Sequence, residues 1–117
     1  MRLKTELWVK AYIRRCAVAG VAAAVVRHGD DDAGAIFIRI NRLNGHSQVF
    51  GPAPAGFDTG ALDRQWVTCP IPRDGADEAV DAYLSREADF DRDLWIVEVE
   101  DRAGRHFLEG WLASPLS

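Results

Sequence analysis

The chain lacks the short motifs that announce common catalytic and nucleotide-binding folds. It has no G-x-G-x-x-G or G-x-x-x-x-G-K-[ST] phosphate loop, no G-x-S-x-G elbow, no H-E-x-x-H and no C-x-x-C. A nucleotide or zinc role would have to use a geometry outside those patterns. Cysteine is scarce. Cys16 and Cys69 are far apart, fit no ligand spacing, and read as two small buried hydrophobes in a reducing cytosol. Long apolar runs are missing too. The run Cys16 to Val26 follows Arg14-Arg15 as a signal peptide's apolar region would, yet it is shorter than the about 20 residues that span a bilayer. Arg27-His28 stands where a small-residue cleavage site would lie, so a cytoplasmic protein without a membrane segment is expected.

Basic charge is also in short supply. The formal net charge is −4, which disfavours nucleic acid as a partner. The bases concentrate at the start, where Arg2, Lys4, Lys10, Arg14 and Arg15 face one acid, Glu6. Residues 74–101 hold eleven acids against Arg86 and Arg92, and the expectation is that these two regions face each other within the fold. The three histidines, His28, His46 and His106, all stand beside expected turns. They read as exposed turn-flanking residues rather than as a metal set with Glu98 or Glu100, and Asp30-Asp31-Asp32 reads as a wet loop. No metal, cofactor or catalytic residue is assigned.

What is present is ordinary globular material: 117 residues, 48% hydrophobic and 27% charged, enough for one domain over residues 1–117 with a core that needs no disulfide. The most legible stretch is Leu94 to Leu108. Trp95, Val97 and Val99 share one face of a strand, while the other face runs from Leu94 and Ile96 to Glu98 and Glu100. Asp101 and Gly104 have the spacing of a type I turn, so a hairpin is expected with Val99 opposite Phe107 and Glu100 opposite His106, and with Trp111 and Leu112 extending its second strand.

Earlier in the chain, Thr5 is placed to cap a helix from Glu6 with Val9, Ile13, Cys16 and Ala17 on one face and Trp8 and Tyr12 beside them; Gly20 ends it. Val21 to Arg27 fits either a continued helix or a short buried strand, with the glycines at 20 and 29 favouring the strand. Ala35 to Asn41 alternates as a strand. Asn44-Gly45 turns it toward Val49 and Phe50 in one of two registers, pairing Ile40 with Val49 or Ile38 with Phe50. Residues 52–60 read as a connecting loop and Gln65 to Cys69 as an edge strand bounded by Pro70 and Pro72. A second helix starts near Asp74-Gly75, with Ala76, Val80, Tyr83, Leu84 and Ala88 as its apolar stripe. Two helices cannot serve as crossovers for this many strands. The expected fold is α+β, a largely antiparallel sheet of about five to six strands with both helices packed on it.

Arg2-Leu3, Trp8-Val9, Tyr12, Arg14-Arg15, Gly20, Ala33-Gly34-Ala35-Ile36, Gly51-Pro52-Ala53 and Leu94 to Arg102 together resemble an uncharacterised bacterial family of short proteins, a domain of unknown function. The resemblance runs over nearly the whole chain. It implies a stand-alone bacterial cytosolic domain and transfers no activity, cofactor or catalytic residue.

Two functional readings follow. The leading one is a non-enzymatic interaction module, a homodimer or the partner of another protein, because four tryptophans are many for this length; Trp8 and Trp111 are the interface candidates. The other is a small enzyme or ligand-binding domain whose polar pocket uses Arg14, Arg15, Glu98, Glu100 and His106.

Overall fold

The computed structural model describes residues 3–54 and 64–113. Helix α1 (Thr5–Val18) is followed by β1 (Ala22–Arg27), β2 (Ile36–Asn41), β3 (Ser47–Pro52) and β4 (Trp66–Thr68). A single turn α2 (Pro72–Gly75), helix α3 (Asp77–Phe90) and strand β5 (Trp95–Glu100) complete the order. The five strands form one open sheet in the order β1-β5-β2-β3-β4. Every pairing is antiparallel except β2 with β5, which is parallel.

The alternation read along the strands places the two helices. Ile36, Ile38 and Ile40 of β2 and Trp95, Val97 and Val99 of β5 point to one face, where Trp8, Val9, Tyr12 and Cys16 of α1 cover them. Phe37, Val49, Leu94 and Ile96 point to the other face, under Val80 and Leu84 of α3. Strands β2 and β5 are thus buried on both sides, which explains their near-continuous apolar runs. The Trp95-Val97-Val99 row lies beneath α1 alone. Because the sheet separates the helices, the basic start of the chain and the acidic α3 do not face each other, contrary to the expectation from charge.

Gly20 ends α1 as its sequence position requires. Its φ of 77° lets the Gly20 N–H reach the Ala17 carbonyl and the Val21 N–H reach that of Cys16, the paired bonds of a Schellman stop. The other end differs from expectation. Lys4 occupies the cap position and no side chain caps the helix. The first N–H groups, of Thr5 and Glu6, instead donate to the carbonyls of Asp32 and Asp31. Thr5 is fully buried, and its hydroxyl donates to the Gly34 carbonyl at 2.9 Å while accepting from Arg64 at 2.6 Å.

The β2–β3 hairpin takes the register that pairs Ile38 with Phe50, with Gly45 left-handed in the turn. Residues 22–27 are a strand, and β4 is an edge strand, as the prolines suggest. Part of the stretch read as a loop, residues 55–60, lies outside the described residues.

The C-terminal hairpin is the main correction. The turn itself forms: the Gly104 N–H donates to the Asp101 carbonyl at 2.9 Å, and Gly104 is left-handed. No strand returns from it. β5 already has β1 on one edge and β2 on the other, so its backbone groups have no vacancy for a third partner. Val99 stands opposite Ala23 and Ile40 rather than Phe107, and Glu100 opposite Ala22 and Asn41 rather than His106. Trp111 and Leu112 do not prolong β5 either. Their segment runs alongside β4, where the Trp66 N–H donates to the Trp111 carbonyl and the Ala113 N–H to that of Trp66, both at 2.8 Å.

Candidate functional site

The segment denied a place beside β5 folds back over α1, and the space between them is the candidate site. α1 contributes Trp8, Ala11, Tyr12 and Arg15 to it, and the returning segment contributes Phe107, Glu109 and Trp111. The groove holds about 480 Å³. Its floor is aromatic. Trp8 stacks on Tyr12 with centroids 5.1 Å apart and planes 12° apart, and Trp111 meets Trp8 edge-on at 5.4 Å. Trp66, fully buried, backs Trp8 at 4.4 Å and donates its indole N–H to the Ile36 carbonyl. These contacts fix the rings in offset and edge-on arrangements that aromatic quadrupoles favour.

Two bonds lock the walls together. The Tyr12 hydroxyl donates to the His106 carbonyl at 2.6 Å, joining residues 94 positions apart. The His106 Nδ1 accepts the Leu108 N–H at 2.9 Å, and the Glu109 carboxylate, 3.8 Å away, is beyond hydrogen-bond range. Between them Phe107 is buried with φ at 56°, a conformation that costs a bulky residue about 1–2 kcal/mol. Strain of this kind is held where surrounding contacts over-determine it. Two guanidinium groups lie over its ring, Arg15 at 4.9 Å and Arg105 at 5.6 Å from the centroid. Arg105 is already neutralised by both carboxylate oxygens of Asp101. Arg15 has no carboxylate partner among the described residues, and neither has its exposed neighbour Arg14.

Burial pushes the Tyr12 phenol far above its ordinary value, and the nearby Cys16 adds to the shift. Burial also raises the Cys16 thiol, which lies fully buried in the core beneath α1.

The structure divides the residues singled out from sequence. Trp8, Arg15 and Trp111 meet at the groove, with the backbone of His106 bracing it. Trp8 is only 6% exposed and forms floor rather than rim, while Trp111 is half-buried. Glu98 and Glu100 leave the opposite side of the sheet. Glu98 lies 3.8 Å from the Arg39 guanidinium, in a cluster where Arg39 also holds Asp77 at 3.1 Å and Asp81 at 2.5 Å. That cluster ties α3 to β2. The five-residue polar pocket is therefore not assembled. Tyr12, Phe107 and Glu109 complete the groove without having been singled out; the Tyr12–His106 contact spans too much sequence to leave a local signal.

One trio among the described residues has metal-like spacing: ligand atoms of Glu6, His28 and Asp31 lie within 4.8 Å of one another. Each already has a partner, His28 hydrogen-bonded to Asp31 at 2.6 Å and Glu6 paired with Lys10 at 3.2 Å.

A family model described as a protein of unknown function, DUF1491, matches residues 3–109. The chain belongs to the DUF1491 family. Solved members share its fold. A crystal structure of a DUF1491 family protein from Caulobacter crescentus CB15 is 38% identical, with a TM-score of 0.78 over 97% of this chain and 100% of that one. An NMR structure of a DUF1491 family protein from the same organism is 39% identical, with a TM-score of 0.78 over 97% and 99%. The solution structure of protein Atu0922 from A. tumefaciens is 42% identical, with a TM-score of 0.71 over 86% of each chain. No match is found among curated proteins. The DUF1491 family has no assigned function, so the site must be argued from its own geometry. Among the described residues no helix is long and apolar enough to cross a membrane.

Proposed function

We propose that this DUF1491 protein is a small non-enzymatic interaction module of the bacterial cytoplasm, and that the α1 groove takes an apolar side chain flanked by carboxylates from a protein partner. The observation that carries this is the groove: about 480 Å³ walled by Trp8, Tyr12, Phe107 and Trp111 with Arg15 at its mouth. Ligand sites have that size and that mix of many apolar walls with few polar groups. Tryptophan and arginine are the residues that dominate interface energetics. Arg14 and Arg15, without a carboxylate partner among the described residues, select an acidic neighbour for the apolar anchor. α1 widens the surface, since Leu7, Ala11 and Val18 follow helical spacing and all face solvent, with the exposed Leu3 just before the helix. Two free cysteines support a reducing compartment. A sheet that draws strands from both ends of the sequence supports a single domain over residues 1–117.

The test is an NMR titration with 3-phenylpropionate, a phenyl ring bearing one carboxylate. A fragment of that size binds with a Kd of roughly millimolar. Expected shifts concentrate on the indole N–H of Trp8 and Trp111 and the Nε–H of Arg15, they fall away in Arg15→Glu, and phenethylamine produces weaker ones. Shifts elsewhere, or none, overturn the reading.

A further inference from the structure

We infer that the groove's partner is a second copy of this chain, and that the group it receives is Phe90. This rests on the groove being a docking site as proposed above. Phe90 is 94% exposed, whereas Phe37, Phe50 and Phe107 are all buried. Phe90 is the last residue of α3, so its ring stands at a helix end, where it can enter a concave surface. Its neighbours are Glu87, Asp89, Asp91 and Asp93, against Arg86 and Arg92. An aromatic anchor set among acids is the chemical complement of an aromatic groove with Arg15 at its mouth and the exposed Arg14 next to it in α1.

The anchor cannot fill the groove of its own copy, because α1 and α3 occupy opposite faces of the sheet. The contact must therefore join two copies. Two competing self-contacts fit less well. Pairing α1 with α1 would bring Arg14 and Arg15 of each copy together. Pairing through the open edge of β1 meets the irregularity between Val25 and Arg27, a device that blunts sheet edges. If each copy gives its Phe90 to the other, the assembly closes as a two-fold dimer; if the exchange is one-way, it grows head to tail.

The experiment is sedimentation velocity on the whole chain over a concentration series reaching about 1 mM, which populates even weak specific contacts. The wild type is expected to self-associate, less so in high salt. Phe90→Ser should be monomeric with an unchanged thermal melt, since an exposed side chain contributes little to folding. Arg15→Glu should also be monomeric. An equimolar mixture of the two variants should recover a complex, because one retains the groove and the other the anchor. A wild type that stays monomeric, or a Phe90→Ser variant that associates as the wild type does, overturns the inference. The 3-phenylpropionate titration separates the two readings: a monomeric wild type whose groove still binds the fragment loses the self-contact and keeps the docking site.

Discussion

Thr5 offers the sharpest test of how the start of α1 is held. At this position sequence reasoning expects an N-cap, and the structure shows a buried hydroxyl bonded to Gly34 and Arg64. The two accounts predict different responses to the same substitutions. Thr5→Val keeps the shape and deletes the hydroxyl. It leaves the Gly34 carbonyl without its side-chain donor and removes a charge-assisted bond from Arg64, losses of about 1–3 and about 1.5–3 kcal/mol respectively. Because Arg64 also donates to the Leu3 carbonyl at 3.3 Å, the lower half of that combined range is expected, about 3 kcal/mol. Thr5→Ser keeps the hydroxyl and loses a buried methyl, about 1 kcal/mol. Thr5→Asn is the discriminating variant. As a cap it would match or exceed threonine; in a site with no exposed surface it overpacks, costing about 1–3 kcal/mol. Urea denaturation followed by circular dichroism reads all three, and the valine variant should melt roughly 12 °C below the wild type. A valine variant within about 0.5 kcal/mol of the wild type, or a stabilised asparagine variant, would refute the reasoning.

Two further outcomes follow from the same geometry. Gly75→Ala and Gly45→Ala both force a left-handed backbone on a residue with a Cβ, at about 1–2 kcal/mol each, but the Cβ at 75 would meet the Ser47 carbonyl oxygen at 2.3 Å whereas the one at 45 has nothing within 4 Å. Gly75→Ala should therefore lose clearly more stability in the same urea assay, and equal losses would count against the close approach of α2 to β3. Asp101 is held at a pKa of about 2, against an ordinary 3.8, by the Arg105 side chain and then by the Arg105 backbone N–H. Its folded value is the lower one, so its stabilisation is complete above the ordinary value and disappears as pH falls from 3.8 toward 2. The wild type should lose stability more steeply than Asp101→Asn across that window, and parallel urea-midpoint curves would contradict the assignment.

Much of the architecture was legible because it is written locally. The isoleucines at 36, 38 and 40, Gly20 at the helix end and Pro70 beside β4 each act through their own neighbourhood, and each did what its spacing says. The register of the β2–β3 hairpin was narrowed to two choices, and the left-handed Gly45 belongs to the one adopted. The C-terminal hairpin was misread although its turn chemistry was right. Whether residues 105–108 pair with β5 depends on β1, far earlier in the chain, occupying that edge. The candidate site shows the same division. Trp8, Trp111 and Arg15 stood out by residue type. The way Tyr12 reaches His106, and the separation of Glu98 and Glu100 from that side of the sheet, follow from topology alone.

The place of β5 also governs when the protein can exist. An interior strand of the sheet is the last of the five in sequence, and β1, made near the beginning, has among the described residues β5 as its one strand neighbour. A nascent chain emerging from the ribosome can build the β2–β3 hairpin early, but β1 must wait unpaired until residues 95–100 slide in beside it. Closure of that long loop is slow compared with helix or hairpin formation. During the interval the apolar strand Ala-Ala-Ala-Val-Val is open to other chains, so the yield of folded protein in a cell should depend on how quickly translation passes Glu100.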